Sequence, residues 1–167
     1  MCKDVQFTIV TNSMKPADTV SPPNVKVETL GERLGPYYYG VADYMFARAV
    51  LRRYPPEHAF WKQFDVIHLN QTMGPALLRL RGTNVQMCFF VHHPASVDRA
   101  IAIGESSFLE GLQWRARYAA LVRWQRKFCT QLPHVATVSQ TAAERIAVDY
   151  GCDAGKIHIV PNGVDGE

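Results

Sequence analysis

Three short runs of polar residues follow directly on apolar, β-prone stretches: Asn70-Gln71 after Asp65–Leu69, His92-His93 after Val85–Val91, and Ser139-Gln140 after His134–Val138. Amide, imidazole and hydroxyl groups bind ligands through hydrogen bonds, and an imidazole can also move a proton near neutral pH. A histidine pair at a strand end is either part of a site or a satisfied structural feature; position decides between the two. His68 lies inside its stretch and reads as a core or supporting residue. Cys2, Cys88, Cys129 and Cys152 are far apart and form no Cys-x-x-Cys pair, so their spacing suggests neither a zinc site nor a disulfide framework. Reduced, mostly buried thiols are the expectation, and no metal is expected.

These groups can cooperate only if the strands before them run in parallel. Strand candidates are Val5–Val10, Val25–Leu30, Asp65–Leu69, Val85–Val91, His134–Val138 and Lys156–Val160. Helical composition fills Val41–Tyr54, Gly74–Leu80, Glu110–Leu132 and Thr141–Tyr150 between them. Pro55-Pro56 stops the first helix, Ser139 caps the last, and Gly151 ends it as a residue tolerant of positive φ. Strands spaced by helices, with no two-residue hairpin links, imply parallel pairing with right-handed crossovers. The fold class expected is therefore α/β, a Rossmann-like parallel sheet with helices on both faces. Val85–Val91 is apolar enough to be buried on both faces. In such a sheet ligands bind beyond the carboxyl ends of the strands, so all three polar runs should open on one rim.

At about 100° per residue, Glu110–Leu132 places Trp114, Tyr118, Leu121, Val122, Phe128 and Cys129 in one arc. Arg115, Arg123, Arg126 and Lys127 fall opposite. The basic arc is a solvated outer face, or a contact for anionic lipid or a phosphate-bearing acceptor.

The totals narrow the class. With 167 residues, 47% apolar and 20% charged, the chain has the size and composition of one packed domain. A net charge of +3 is too small to argue for nucleic acid as a partner. No signal peptide and no apolar run long enough to span a bilayer is seen, so a cytoplasmic location is expected, with possible contact at the inner face of the membrane. A nicotinamide oxidoreductase would need a Gly-x-Gly-x-x-Gly turn, and none occurs.

The ordered set Thr137-Val138-Ser139, Gly151, Lys156-Ile157 and Val160-Pro161-Asn162-Gly163-Val164-Asp165 resembles the end of the N-terminal domain of retaining GT-B glycosyltransferases of family 4. Asp65–His68 with Leu69-Asn70-Gln71 resembles a strand and ligand-facing loop of that family. Phe89–Pro94 with Asp98-Arg99, and Trp124-Gln125-Arg126, are similar to one of its subgroups. The likeness covers most of the chain and is weakest between Met14 and Tyr54. It departs from the family in two places. Lys3–Thr11 looks like the second strand, with no Gly-Gly loop before it, and the chain stops at Gly166-Glu167, where the family crosses into a second domain.

The resemblance implies one half of a GT-B fold: a single N-terminal domain over 1–160 that lacks its first strand, then the start of an interdomain hinge at 161–167. It implies transfer of a sugar from a nucleotide-sugar donor to a sugar, lipid or small-molecule acceptor with retention of anomeric configuration, without cofactor or metal. The donor diphosphate would be held by the missing C-terminal domain, so this chain alone is expected to be inactive. His92 matches the catalytic histidine; His93, Asn70, Gln71, Ser139, Asn162 and Gly163 would contact substrate. The competing reading is a non-catalytic Rossmann-like binding module or a truncated pseudo-enzyme that uses the rim without chemistry.

Overall fold

Side-chain alternation sets the strands, and caps and prolines set where the helices begin and end. The computed structural model describes residues 4–12, 22–34, 40–71 and 73–162. The strands are β1 (Phe7–Thr11), β2 (Val25–Thr29), β3 (Val66–Asn70), β4 (Gln86–Val91), β5 (His134–Thr137) and β6 (Ile157–Ile159). The helices are α1 (Val41–Arg53), α2 (Ala95–Gly104), α3 (Phe108–Gln131) and α4 (Gln140–Tyr150). Short 3-10 turns cover Ala59–Gln63, Pro75–Gly82 and Ala154–Lys156.

Local chemistry explains the helix ends. α1 stops at Tyr54, before Pro55, because proline cannot continue a helical hydrogen-bond ladder. A capping box starts α3: the Ser107 side chain and the Glu110 side chain each meet the other residue's backbone N–H. Ser139 Oγ accepts from the Ala142 N–H at 3.2 Å, and Gly151 at φ 66 closes α4 in the left-handed region, as expected.

All the pairings are parallel. β3, β4, β5 and β6 form one sheet in that order, and β1 and β2 form a second, two-stranded sheet. The parallel Rossmann-like α/β architecture stands, but among the described residues no ladder joins β1 to β3. Between Phe7–Val10 and Val66–Asn70 lies a cavity of about 490 Å³, walled by Phe46, Trp61, Met73 and Leu77 among others.

The core sits on one face of the larger sheet. Ile67, Leu69, Met87, Phe89, Val91 and Val135 are buried against Leu80, Phe128, Leu132, Ile146 and Tyr150. Phe89 and Phe128 stack with centroids 4.9 Å apart.

Three expectations change. β4 is fully buried on one face only, since Cys88 and Phe90 are half-buried. His68 is exposed rather than in the core, because β3 alternates and its buried positions are Ile67 and Leu69. α2 was not anticipated, because it opens without a side-chain cap, on Pro94. Cys129 and Cys152 are buried and Cys88 is half-buried, and burial pushes all three thiols up; Cys2 lies outside the described residues.

Candidate functional site

Strand register brings the polar runs to one end of the sheet. Asn70 pairs with Phe90, Val91 with Thr137, and Thr137 with Ile159, so Gln71 is level with Val91 and Thr137, and His92 and Val138 follow one residue beyond. The ladder continues past β6, where the Val160 N–H donates to Thr137 O at 2.7 Å. Thr137 is buried, and its hydroxyl donates to Val91 O at 2.7 Å, tying β5 to β4 just below the rim.

The loop after β3 is held in an unusual shape. Gln71 has φ 57, the one positive φ among described residues other than glycine. A left-handed residue with a Cβ costs on the order of 1–2 kcal/mol and must be held by its surroundings. Here the Gln71 amide does so. Its Oε1 accepts from the His92 N–H at 2.8 Å and the His93 N–H at 3.3 Å, and its Nε2 donates to His93 O at 2.8 Å. Gln71 thus fixes the histidine backbone, and its side-chain amide is engaged with backbone atoms rather than presented to a ligand.

A second amide stands behind the first. Gln125 of α3 is buried, and its Oε1 accepts from the Ala95 N–H at 2.8 Å and from the Tyr150 hydroxyl at 2.6 Å. Its Nε2 reaches Gln71 O and His93 O, both at 3.4 Å. The Tyr150 hydroxyl also accepts from the Ser96 N–H at 3.2 Å, and the Ser96 hydroxyl donates to Asp149 at 2.6 Å. This network locks α2, α3 and α4 to the two strand-end loops. Gln125 is not among the residues that strand-end position marks as a site; its signal in the sequence is a polar residue in the middle of the Trp114–Cys129 apolar arc.

The rim side chains divide by exposure. His92 is half-buried, its ring tilted on Phe90 at 4.5 Å, while His93 next to it is exposed. Asn70, Ser139 and Asn162 are exposed, and the Ser139 hydroxyl is occupied as the α4 cap. Gly163 lies outside the described residues. His68, on the β3 face toward the cavity, meets Phe90 edge-on at 5.6 Å. Partial desolvation against the Phe90 ring and the cavity wall first, and the His92 charge second, hold its imidazole below the usual range although the residue stays open to water.

The cavity beside β1 shares Asn70 with the rim but not the histidine pair. Among the described residues no three His, Cys, Asp or Glu side chains come together as a metal site. His134 and His158 approach at 3.4 Å, but His134 is the first residue of β5 and lies at the end away from the rim.

A parallel α/β sheet with helices between its strands defines a Rossmann-like domain. The chain belongs to glycosyltransferase family 4: the model of the family described as Glycosyltransferase Family 4 matches residues 3–167. It is also 32% identical over 106 residues to an MMP alpha-(1->4)-mannosyltransferase from Mycolicibacterium hassiacum. That match covers 61% of this chain and 25% of the relative, so the chain aligns with about a quarter of the relative's length.

Proposed function

We propose that this chain is the acceptor-side domain of a retaining glycosyltransferase that moves a sugar from a nucleotide-sugar donor to an acceptor hydroxyl. The observation that carries the reading is His92, half-buried on the rim, with its backbone pinned through Gln71 to the buried Gln125. A group fixed in this way can hydrogen-bond the transferred sugar or the acceptor more strongly in the transition state than in the ground state. His93, Asn70, Ser139, Asn162 and Gly163 would line the acceptor side, and Gln71 acts through the histidine backbone. Asn70, Gln71, His92, His93 and Ser139 include no Lys or Arg, which supports a donor diphosphate held by a second domain, reached through a hinge at 161–167. Neither metal nor cofactor has a role in this scheme. The free thiols support work on the cytoplasmic side. The similarity to a mannosyltransferase makes nucleotide-activated mannose the first donor to try.

The test joins this chain to a donor-binding domain of the same family. The chain alone should give no turnover and the joined protein measurable turnover. His92→Ala should then lower kcat by about 10²-fold with Tm unchanged, the scale of one positioned polar group. His93→Ala should cost less, because adjacent side chains at a strand end point to opposite sides. Equal kcat in His92→Ala and the parent would return the histidine to a structural role and favour a binding module.

A further inference from the structure

Gln125 hydrogen-bonds the residues just past the ends of β3 and β4, while the C-terminus of α3 leads into the first residue of β5 at the opposite end of the sheet. The part of α3 before Gln125, Phe108–Trp124, therefore runs on past the level of these loops, a segment about 25 Å long at 1.5 Å per residue. Its tip is apolar and open to water: Phe108 is 87% exposed, Leu109 72% and Leu112 60%, with Ile101 of α2 at 55%. Three large apolar side chains in five residues of an exposed helix end form a patch, not the scattered apolar surface of an ordinary monomer.

Position around the helix supplies the second observation. At about 100° per residue, Phe108, Leu109 and Leu112 fall within the same arc of about 120° as Arg115, Arg123, Arg126 and Lys127. This arc lies opposite the core-facing Phe128 and Cys129, and Ala116, Ala119 and Thr130 are its other exposed members along the shaft. None of the four cations is in an ion pair with a described residue. The acids nearest the tip stay off the arc: Glu110 is turned into the capping box with Ser107, and Glu105 lies in the link before the helix. The outward face is thus apolar at one end and basic along its shaft.

We infer that the outer face of α3 docks on an anionic membrane surface, with the Phe108-Leu109-Leu112 end sunk into the headgroup boundary and the four cations on lipid phosphates. Charge complementarity selects this partner, since an apolar end alone fits many surfaces whereas a contiguous acid-free basic shaft fits an anionic one. No described helix is long and apolar enough to cross a bilayer, so the contact is peripheral. The inference does not rest on sugar transfer and is tested without it.

The experiment is flotation of the chain with vesicles of phosphatidylcholine alone or enriched in phosphatidylglycerol, over a range of salt. Binding is expected to the anionic vesicles only and to weaken as salt rises, because screening shortens the reach of each charge. Changing Arg115, Arg123, Arg126 and Lys127 to Gln should lower the partition coefficient by at least about 10²-fold. Changing Phe108, Leu109 and Leu112 to Ser should lower it by at least about 10-fold with an unchanged circular dichroism spectrum, since these side chains are solvent-exposed. A Phe108→Trp variant should show blue-shifted emission quenched by brominated lipid. Absence of binding to anionic vesicles, or binding indifferent to both sets of changes, overturns the inference. Loss of self-association in the serine variant, without vesicle binding by the parent, would assign the face to a second copy of the chain instead.

Discussion

The β3–β6 sheet and the β1–β2 pair obey the same pairing rules and differ in what stands beside and beneath them. β4 has a hydrogen-bonded neighbour on each side, and Met87, Phe89 and Val91 are each 2% exposed or less. β1 has one neighbour among the described residues, and its Phe7 and Ile9 are 47% and 50% exposed along the cavity facing β3. Parallel strands hold best when neighbours and covering helices remove them from water. Strand-forming sequence alone, present in both regions, does not create a core.

The largest effect that would sharpen the contrast is a pair of truncations. Phe128→Ala removes a fully buried ring stacked on Phe89 and should cost about 3–5 kcal/mol. Phe7→Ala, on the half-wet β1, should cost about 1 kcal/mol or less. Urea unfolding of both variants decides the matter. Similar losses would show that the cavity beside β1 closes in solution and that the two regions share one core.

Next in size is Gln125→Leu, which keeps the volume but leaves the Ala95 N–H and the Tyr150 hydroxyl without their common acceptor. Each unpaired buried group costs about 1–3 kcal/mol, offset in part by the leucine's burial of apolar surface. The effect should be local. The amides of His92, His93 and Ala95 should exchange with solvent faster, while those of β1 and β2, across the cavity from β3, should not change. Uniform acceleration across both sheets would mean that Gln125 holds the whole fold rather than the histidine rim.

Much of this was legible in the chain. The βαβ unit from His134 to Ile159 announces itself through β-branched residues, the Ser139 cap and Gly151, because those signals act within a few residues of each other. The shared rim followed from parallel order alone. Less legible was whatever depends on distant partners. α2 opens on Pro94 with no side-chain cap. Gln71 looked like a ligand-facing amide, and only the fold shows it bent back on the His92 and His93 backbone, 21 and 22 residues away. His68 sits in an apolar run, and the run does not reveal that its face of β3 is open. Local propensity carries the first kind of information; tertiary contact supplies the second.

The smallest effect concerns His68, the titratable group between the two regions. Its imidazole is held below its ordinary value of 6.5 by partial desolvation and, to a lesser degree, by the charge of His92. Above about pH 6.5 both folded and unfolded chains keep this group neutral, and it contributes no pH dependence. As pH falls through that value the unfolded chain takes up the proton first, so the folded state loses stability until the folded group titrates as well, after which the loss is constant. His68→Gln should therefore flatten the decline in urea midpoint below pH 6.5 relative to the parent, with the two profiles parallel above it. The difference should be small, because the side chain keeps contact with water. Coincident slopes throughout would show that the channel between β1 and β3 is fully hydrated. A large difference would show the opposite, that β1 closes over His68 and that the two sheets act as one.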